Sequence, residues 1–323
     1  MLFYLLRRLF QSAIVLAVVA FGSFMMFRFM GDPVAQLVSE ETTLADRALI
    51  RQSLGLDDPL IVQFGHFAAR VVQGEFGLSY QMGQPVMRLI AERLPATLEL
   101  SFVAFSLALL IGIPLGVFAG LKPNSIITRV IMILSLAGIS MPTFFVGLLL
   151  MVYFGVELAI LPTFGRGETV DLGFWTTGFL TKSGWLSIIL PAVTLGLFQL
   201  TFIMRLVRAE MLEVMRADFI RFARARGLPA RRIHFRHALK NTLVPVMTIA
   251  GLQFGSIIAF GIITESVFQW PGIGLLFLQA ISAVDIPVVS TYLLLVAVIF
   301  VVVNLIVDML YYMVDPRLRV GAK

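Results

Sequence analysis

The chain of 323 residues has no cysteine and only three histidines. The missing thiols exclude disulfides, thiolate metal sites, iron–sulfur clusters and a cysteine nucleophile. No two histidines stand at the i, i+4 spacing of a helical metal pair, which speaks against metal catalysis. No Gly-Lys pair occurs anywhere, so the Gly-rich loop whose lysine grips nucleotide phosphates is absent. Charge is scarce where it would matter most. Glu99, Glu157, Glu265 and Asp308 fall at or near the ends of long apolar runs, and no run is charged at its centre. A carrier that couples to ions needs ionisable groups deep in the membrane. The chain therefore has the makings of a pathway without a motor.

What is abundant is apolar. Hydrophobic residues make up 59% of the chain and the mean hydropathy is +0.94, which excludes an ordinary soluble domain. A span needs about 20 apolar residues. Six stretches qualify: Leu9–Phe27, Leu98–Ala119, Val130–Phe154, Leu186–Met204, Leu243–Thr264 and Val288–Val307. The first follows Arg7-Arg8 like a signal peptide, but its run exceeds the ~7–15 residues of a signal core, so it is expected to stay as an anchor. With both termini inside, the inner segments hold Arg7, Arg8, Lys122, Arg129, ten cations between Arg205 and Lys240, and Arg317, Arg319 and Lys323. That satisfies the positive-inside rule and predicts Thr43 and Gly167 on the outer side. The expected organisation is an N-terminus and first span over 1–30, an outer loop with short helices over 31–97, and a five-span core over 98–323. Within the outer loop, Leu44–Leu54 and Leu60–Val72 have helical apolar spacing and are separated by Gly55-Leu56-Asp57-Asp58-Pro59, a turn signal.

The segment from Arg205 to Pro245 is the longest strongly polar stretch between membrane-length runs, with ten of the 25 Lys and Arg. Leu212, Met215, Phe219 and Phe222 recur at three- and four-residue spacing, predicting one apolar ridge on one helix. Gly227 stands where a left-handed cap belongs, and Pro229 opens a second helix. Nucleic-acid binding is disfavoured because both ends run into membrane spans. Two readings remain open on spacing alone: a basic loop lying on anionic headgroups, or a docking element whose ridge fits a soluble partner.

Elsewhere, Met141-Pro142 is expected to kink the third span, and Pro191 lies near the start of the fourth. Gly112, Gly116, Gly138, Gly147 and Gly196 suit close helix packing. Gln199, Gln253, Ser256 and Asn304 are candidate pathway linings, with helix-to-helix hydrogen bonding as the competing role. Pro142 and Glu265 join them as candidate gate positions.

Phe222-Ala223-Arg224-Ala225-Arg226-Gly227-Leu228, followed by His237-Ala238-Leu239 and Leu243-Val244-Pro245, resembles the cytoplasmic loop of binding-protein-dependent ABC importer permeases. That loop usually reads Glu-Ala-Ala, three residues, Gly, and later Leu-Pro. Here Arg221 and Phe222 replace the Glu and first Ala, and the gap to Pro245 is longer; both departures look like the dipeptide/oligopeptide branch. The same branch is resembled by Gly31-Asp32-Pro33, Leu54 to Leu60, Gly74-Glu75-Phe76-Gly77-Leu78-Ser79, and Arg93-Leu94-Pro95-Ala96-Thr97-Leu98-Glu99-Leu100. So too are Thr264 to Gly274, Asp285-Ile286-Pro287, Asn304 to Asp308, Tyr311 and Asp315-Pro316-Arg317.

The resemblance implies an all-α, six-helix, type I importer-like bundle in a bacterial inner membrane, both termini cytoplasmic. It further implies a heterodimer with a similar permease, two cytoplasmic ATPases that bind the ATP and magnesium, and an extracytoplasmic binding protein. This chain itself would bind no cofactor, and its surroundings are membrane lipid. Leu212, Met215, Asp218, Phe219, Phe222, Ala223, Arg224, Gly227, Leu228, His237 and Pro245 would form the loop that couples to an ATPase. The branch moves dipeptides and longer peptides, but also glutathione, nickel chelates, opines or sugars. A passive channel is the alternative class, disfavoured by the lack of a filter-like repeat or charged ring.

Overall fold

The computed structural model describes residues 2–29 and 57–314. The expected Leu44–Leu54 helix, Gly31-Asp32-Pro33, Thr43 and Asp315-Pro316-Arg317 lie outside the described residues. Numbering the elements over what is described, the chain runs α1 (Leu2–Phe29), α2 (Leu60–Val72), α3 (Val86–Leu121), α4 (Ile126–Ser140) and α5 (Thr143–Leu150). A two-stranded antiparallel hairpin follows, β1 (Val170–Asp171) with β2 (Thr176–Thr177). Then come α6 (Lys182–Val214), α7 (Asp218–Ala225), α8 (Ala230–Arg232), α9 (Leu239–Phe260), α10 (Ile262–Val267), α11 (Ile273–Ser282) and α12 (Ile286–Val314).

Among the described residues, five helical stretches are long and apolar enough to cross a membrane: Arg7–Met26, Val86–Leu121, Lys182–Val214, Ala230–Phe260 and Ile286–Met309. The third expected span is different. In place of one kinked helix over Val130–Phe154 there are two shorter ones, α4 and α5, the latter running on as a π-helix over Met151–Glu157. The reason is Pro142, which has no N–H to donate and restricts the residue before it. At φ −57° and ψ 137° it leaves helical geometry, and its carbonyl restarts the helix by accepting from Phe145 and Val146. The α2 helix matches the expected Leu60–Val72, whereas α3 begins at Val86, twelve residues before the expected span.

The contacts sort into two compact units. In the first, Met1–Pro95 with Gly272–Val301, α1 meets α2 through Phe21, Phe24 and Phe64, with the Phe21 and Phe64 rings 5.4 Å apart edge to face. Phe277 stacks on Tyr292 at 4.2 Å. In the second, Ala96–Pro271 with Val302–Lys323, α3 lies against α6 with almost no space between backbones. A Cβ on Gly116 would sit 2.6 Å from the Met204 carbonyl oxygen, and one on Gly196 would sit 2.7 Å from that of Ala104. Without a hydrophobic force between helices in lipid, such close approach is the main source of packing energy.

Candidate functional site

The polar loop is built differently from the single ridge its spacing predicts. The α6 helix carries on to Val214, 33 residues in all, or about 50 Å at 1.5 Å per residue against a hydrocarbon layer of about 30 Å. Its last turns therefore stand out of the membrane. The chain then breaks, with Arg216 and Ala217 donating to Glu213 and Val214, and Ala217 is extended at ψ 149° before α7 starts. Leu212 and Met215 consequently belong to the end of α6 and are half-buried, while Phe219 and Phe222 lie on a separate short helix. The spacing was helical; the break at 215–217 divides it between two helices.

The α7 helix is strongly two-faced. Ile220 and Ala223 are buried with Met211, Val207, Ile233, Ala238 and Val246 in one cluster. Phe219 and Phe222 point away, 46% and 64% exposed. Arg226 lies over the Phe222 ring at 5.7 Å, Asp218 pairs with Arg221 at 3.4 Å, and Arg224 is exposed. Gly227 ends the turn at φ +71°, the left-handed value that a side chain resists, and Leu228 donates back to Ala223. Leu228, His237 and Pro245 are half-buried, Pro245 inside α9. Core residues thus hold a stub that shows Phe219 and Phe222 to the outside.

The other candidate positions divide. Pro142 is exposed at the break between α4 and α5. Gln199 is buried on α6, and among the described residues neither its Oε1 nor Asn304 Oδ1 on α12 has a hydrogen-bond partner. Ser256 donates to the Leu252 carbonyl of its own helix at 3.5 Å, and Gln253 on the same helix is half-buried. Glu265 is engaged: Thr97 Oγ1 donates to its carboxylate at 2.6 Å, and five residues on, Trp270 Nε1 donates to the Ala96 carbonyl at 2.9 Å.

Three stretches that look unrelated along the chain are brought together around α3. The segment 96–99 holds the 264–270 stretch by the bonds just given, and also anchors the hairpin. Glu99 accepts from Arg166 at 2.6 Å, from Trp175 Nε1 at 3.2 Å and from the Gly178 amide at 3.3 Å. Arg166 donates onward to Thr176. Both charges are nearly sealed, 7% and 3% exposed, so this pair shields each charge that would otherwise be prohibitive to bury. In the first unit, Asp285 does the same for a turn: Ser79 Oγ and the amides of Tyr80 and Gln81 all donate to its carboxylate. Arg166 and Asp285 were absent from the sequence-derived candidates. The available signal was Glu99 itself, a lone acid entering an apolar helix, which requires a partner somewhere.

A two-faced stub beside a long apolar bundle, with no nucleotide-gripping loop, fits a membrane component worked from outside. The family model described as "Binding-protein-dependent transport system inner membrane component" matches residues 112–320, and its N-terminal companion matches residues 1–101. The chain belongs to this family. It is a multi-pass membrane permease and not an enzyme. The permease is 37% identical to a probable peptide ABC transporter permease of Sinorhizobium fredii, over 98% of this chain and 99% of that one. It is 37% identical to the dipeptide transport system permease DppB of Alkalihalophilus pseudofirmus, over 99% and 100%. Against the di/tripeptide permease DppB of Pseudomonas aeruginosa the figure is 41% over 90% of each. Among solved structures, an inward-facing MetNI methionine ABC transporter shares the fold, with a TM-score of 0.57 at 20% identity, covering 72% of this permease and all of that chain.

Proposed function

We propose that the permease is one transmembrane half of a peptide importer, paired with a similar permease and driven by two separate ATPases that bind ATP and magnesium. The reading rests on relatives that are named for peptide or dipeptide transport and align over 90% or more of this chain. The observation that carries the mechanism is the α7 stub. Phe219 and Phe222 are presented on a helix whose other face is locked into the core, so a force on the stub is passed to α6, α9 and the bundle. A groove in an ATPase would take this face as other grooves take amphipathic helices, and Gly227 lets the backbone come close. ATP-driven closure of the ATPases then changes the bundle between inward- and outward-open states. An extracytoplasmic binding protein delivers the peptide, and Gln199 and Asn304, whose side-chain oxygens have no partner among the described residues, are the pathway residues best suited to meet a peptide's amides. The termini and the 205–245 loop face the cytoplasm, in a bacterial inner membrane.

The orientation is tested by single-cysteine labelling, clean here because the native chain has none. Phe174→Cys, at the exposed tip of the hairpin, should react with an impermeant maleimide in intact spheroplasts, and Lys122→Cys only after lysis. The reverse pattern would reject the arrangement. Transport is tested by uptake of labelled di- and oligopeptides into proteoliposomes holding both permeases, both ATPases and the binding protein. Uptake of another solute class with no peptide uptake would reject the substrate.

A further inference from the structure

The second half of the loop offers a surface that the α7 stub does not use. From Ala230 the helix runs without interruption into the span ending at Phe260, and residues Ile233–Ala238 are wound as a π-helix. Hydrogen bonds from i to i+5 stretch the turn, which brings Ile233 and Ala238, five residues apart, onto the same buried side with Thr242. The opposite side carries Arg231, Arg232, Phe235, Arg236 and Lys240, all exposed. No Asp or Glu occurs between residues 219 and 264. Among the described residues, none of these four cations has a carboxylate partner, in contrast to Arg221 with Asp218.

We propose that this strip, Arg231 to Lys240, is a binding site for anionic phospholipid headgroups. Height decides in favour of lipid. The apolar run begins at Leu243, which places Lys240 about 5 Å and Arg236 about 10 Å from the hydrocarbon edge at 1.5 Å per residue. The headgroup layer is about 5–8 Å deep, and the surface potential beyond it decays over about 8 Å. The strip therefore stands inside the negative field of the membrane. Phe235, 55% exposed among the cations, has the interfacial pattern of an apolar ring flanked by basic chains that lie along the surface. The proposal needs only that the Ala230–Phe260 helix crosses the membrane; it holds whichever way the chain faces. Its effect is to hold the N-terminal end of this helix at the membrane surface, beside the α7 stub that packs on it through Ile220 and Ile233.

The test uses the assembled transporter in nanodiscs, with a donor dye on Phe235→Cys and acyl-labelled phosphatidylglycerol or phosphatidylcholine as acceptor. Energy transfer should be several-fold greater to phosphatidylglycerol. The difference should collapse at raised salt, and it should fall at least about five-fold when Arg232, Arg236 and Lys240 are replaced by Gln, since each such cation contributes about one five-fold factor. Equal transfer to both lipids, or selectivity that ignores salt, overturns the proposal. So does protection of the dye by the ATPase subunits in lipid-free detergent, which would make the strip part of the protein interface. Wrong orientation in the labelling experiment leaves this selectivity intact, so the two readings fail separately.

Discussion

The most direct test of the packing is Gly116→Ala. Gly112, Gly116 and Gly120 recur every four residues along α3 and face α6. A Cβ on Gly116 would lie 2.6 Å from the Met204 carbonyl oxygen and 2.7 Å from Val207 Cβ. Neither neighbour is the loose end of a side chain, so the helices must separate. Reaching the 3.4 Å of an ordinary contact from 2.6 Å requires an opening of about 0.8 Å. Overpacking of this kind costs about 1–3 kcal/mol. Against it stands a gain of about 1 kcal/mol from the better helix propensity of Ala. At Gly138 the same methyl would meet Thr201 and Leu197 at 3.7–3.8 Å, with no conflict. Gly138→Ala should therefore be neutral or slightly stabilising and Gly116→Ala destabilising by up to about 2 kcal/mol, a gap read as melting temperature by size-exclusion chromatography of heated samples. Adding Val207→Ala should recover only part of the loss, because the Met204 carbonyl remains. If Gly116→Ala melts with Gly138→Ala, the close approach of α3 and α6 is not real and the reasoning fails.

Gly227→Val should cost about 1–2 kcal/mol of loop strain from its φ of +71° alone, since a Cβ there meets nothing within 4 Å; substrate-stimulated ATPase and uptake should separate, with subunit co-purification intact and Gly227→Asn near normal. Glu99→Gln leaves the Arg166 charge sealed and unpaired, a loss of about 3–5 kcal/mol, whereas Glu99→Gln with Arg166→Met should recover much of it in the same melting assay. Tyr80 has its pKa raised by burial and by the nearby Asp285 charge. Its phenol resists ionisation in the folded protein while the unfolded chain ionises near 10. The stabilising contribution is therefore present below that pH and lost as pH rises above it. Tyr80→Phe should flatten the alkaline limb of a stability–pH curve, and an unchanged limb would count against the Tyr80–Asp285 proximity.

The one-dimensional features of this protein follow from its sequence because their causes are local. Apolar runs of about 20 residues mark the spans, the Gly227-Leu228-Pro229 run marks a helix end, and the absence of a Gly-Lys pair marks a component that does not grip nucleotide. Even the α2 helix, Leu60–Val72, was legible from its periodicity. Two local readings fell short for a physical reason. Spacing at Met141-Pro142 indicated a kink, but whether a helix bends through a proline or stops depends on what packs around it. Spacing from Leu212 to Phe222 is helical on either side of a break at 215–217, and only burial of Ile220 and Ala223 against Met211 and Ile233 shows why the chain turns there. Everything that needs two distant residues came from the tertiary structure. Ser79 and Asp285 are 206 positions apart, Thr97 and Glu265 are 168 apart, and Trp270 and Ala96 are 174 apart. Each bond is long-range, and no pattern of period two or 3.6 records it. A sequence shows that Glu99 must have a partner; only the folded chain decides that the partner is Arg166.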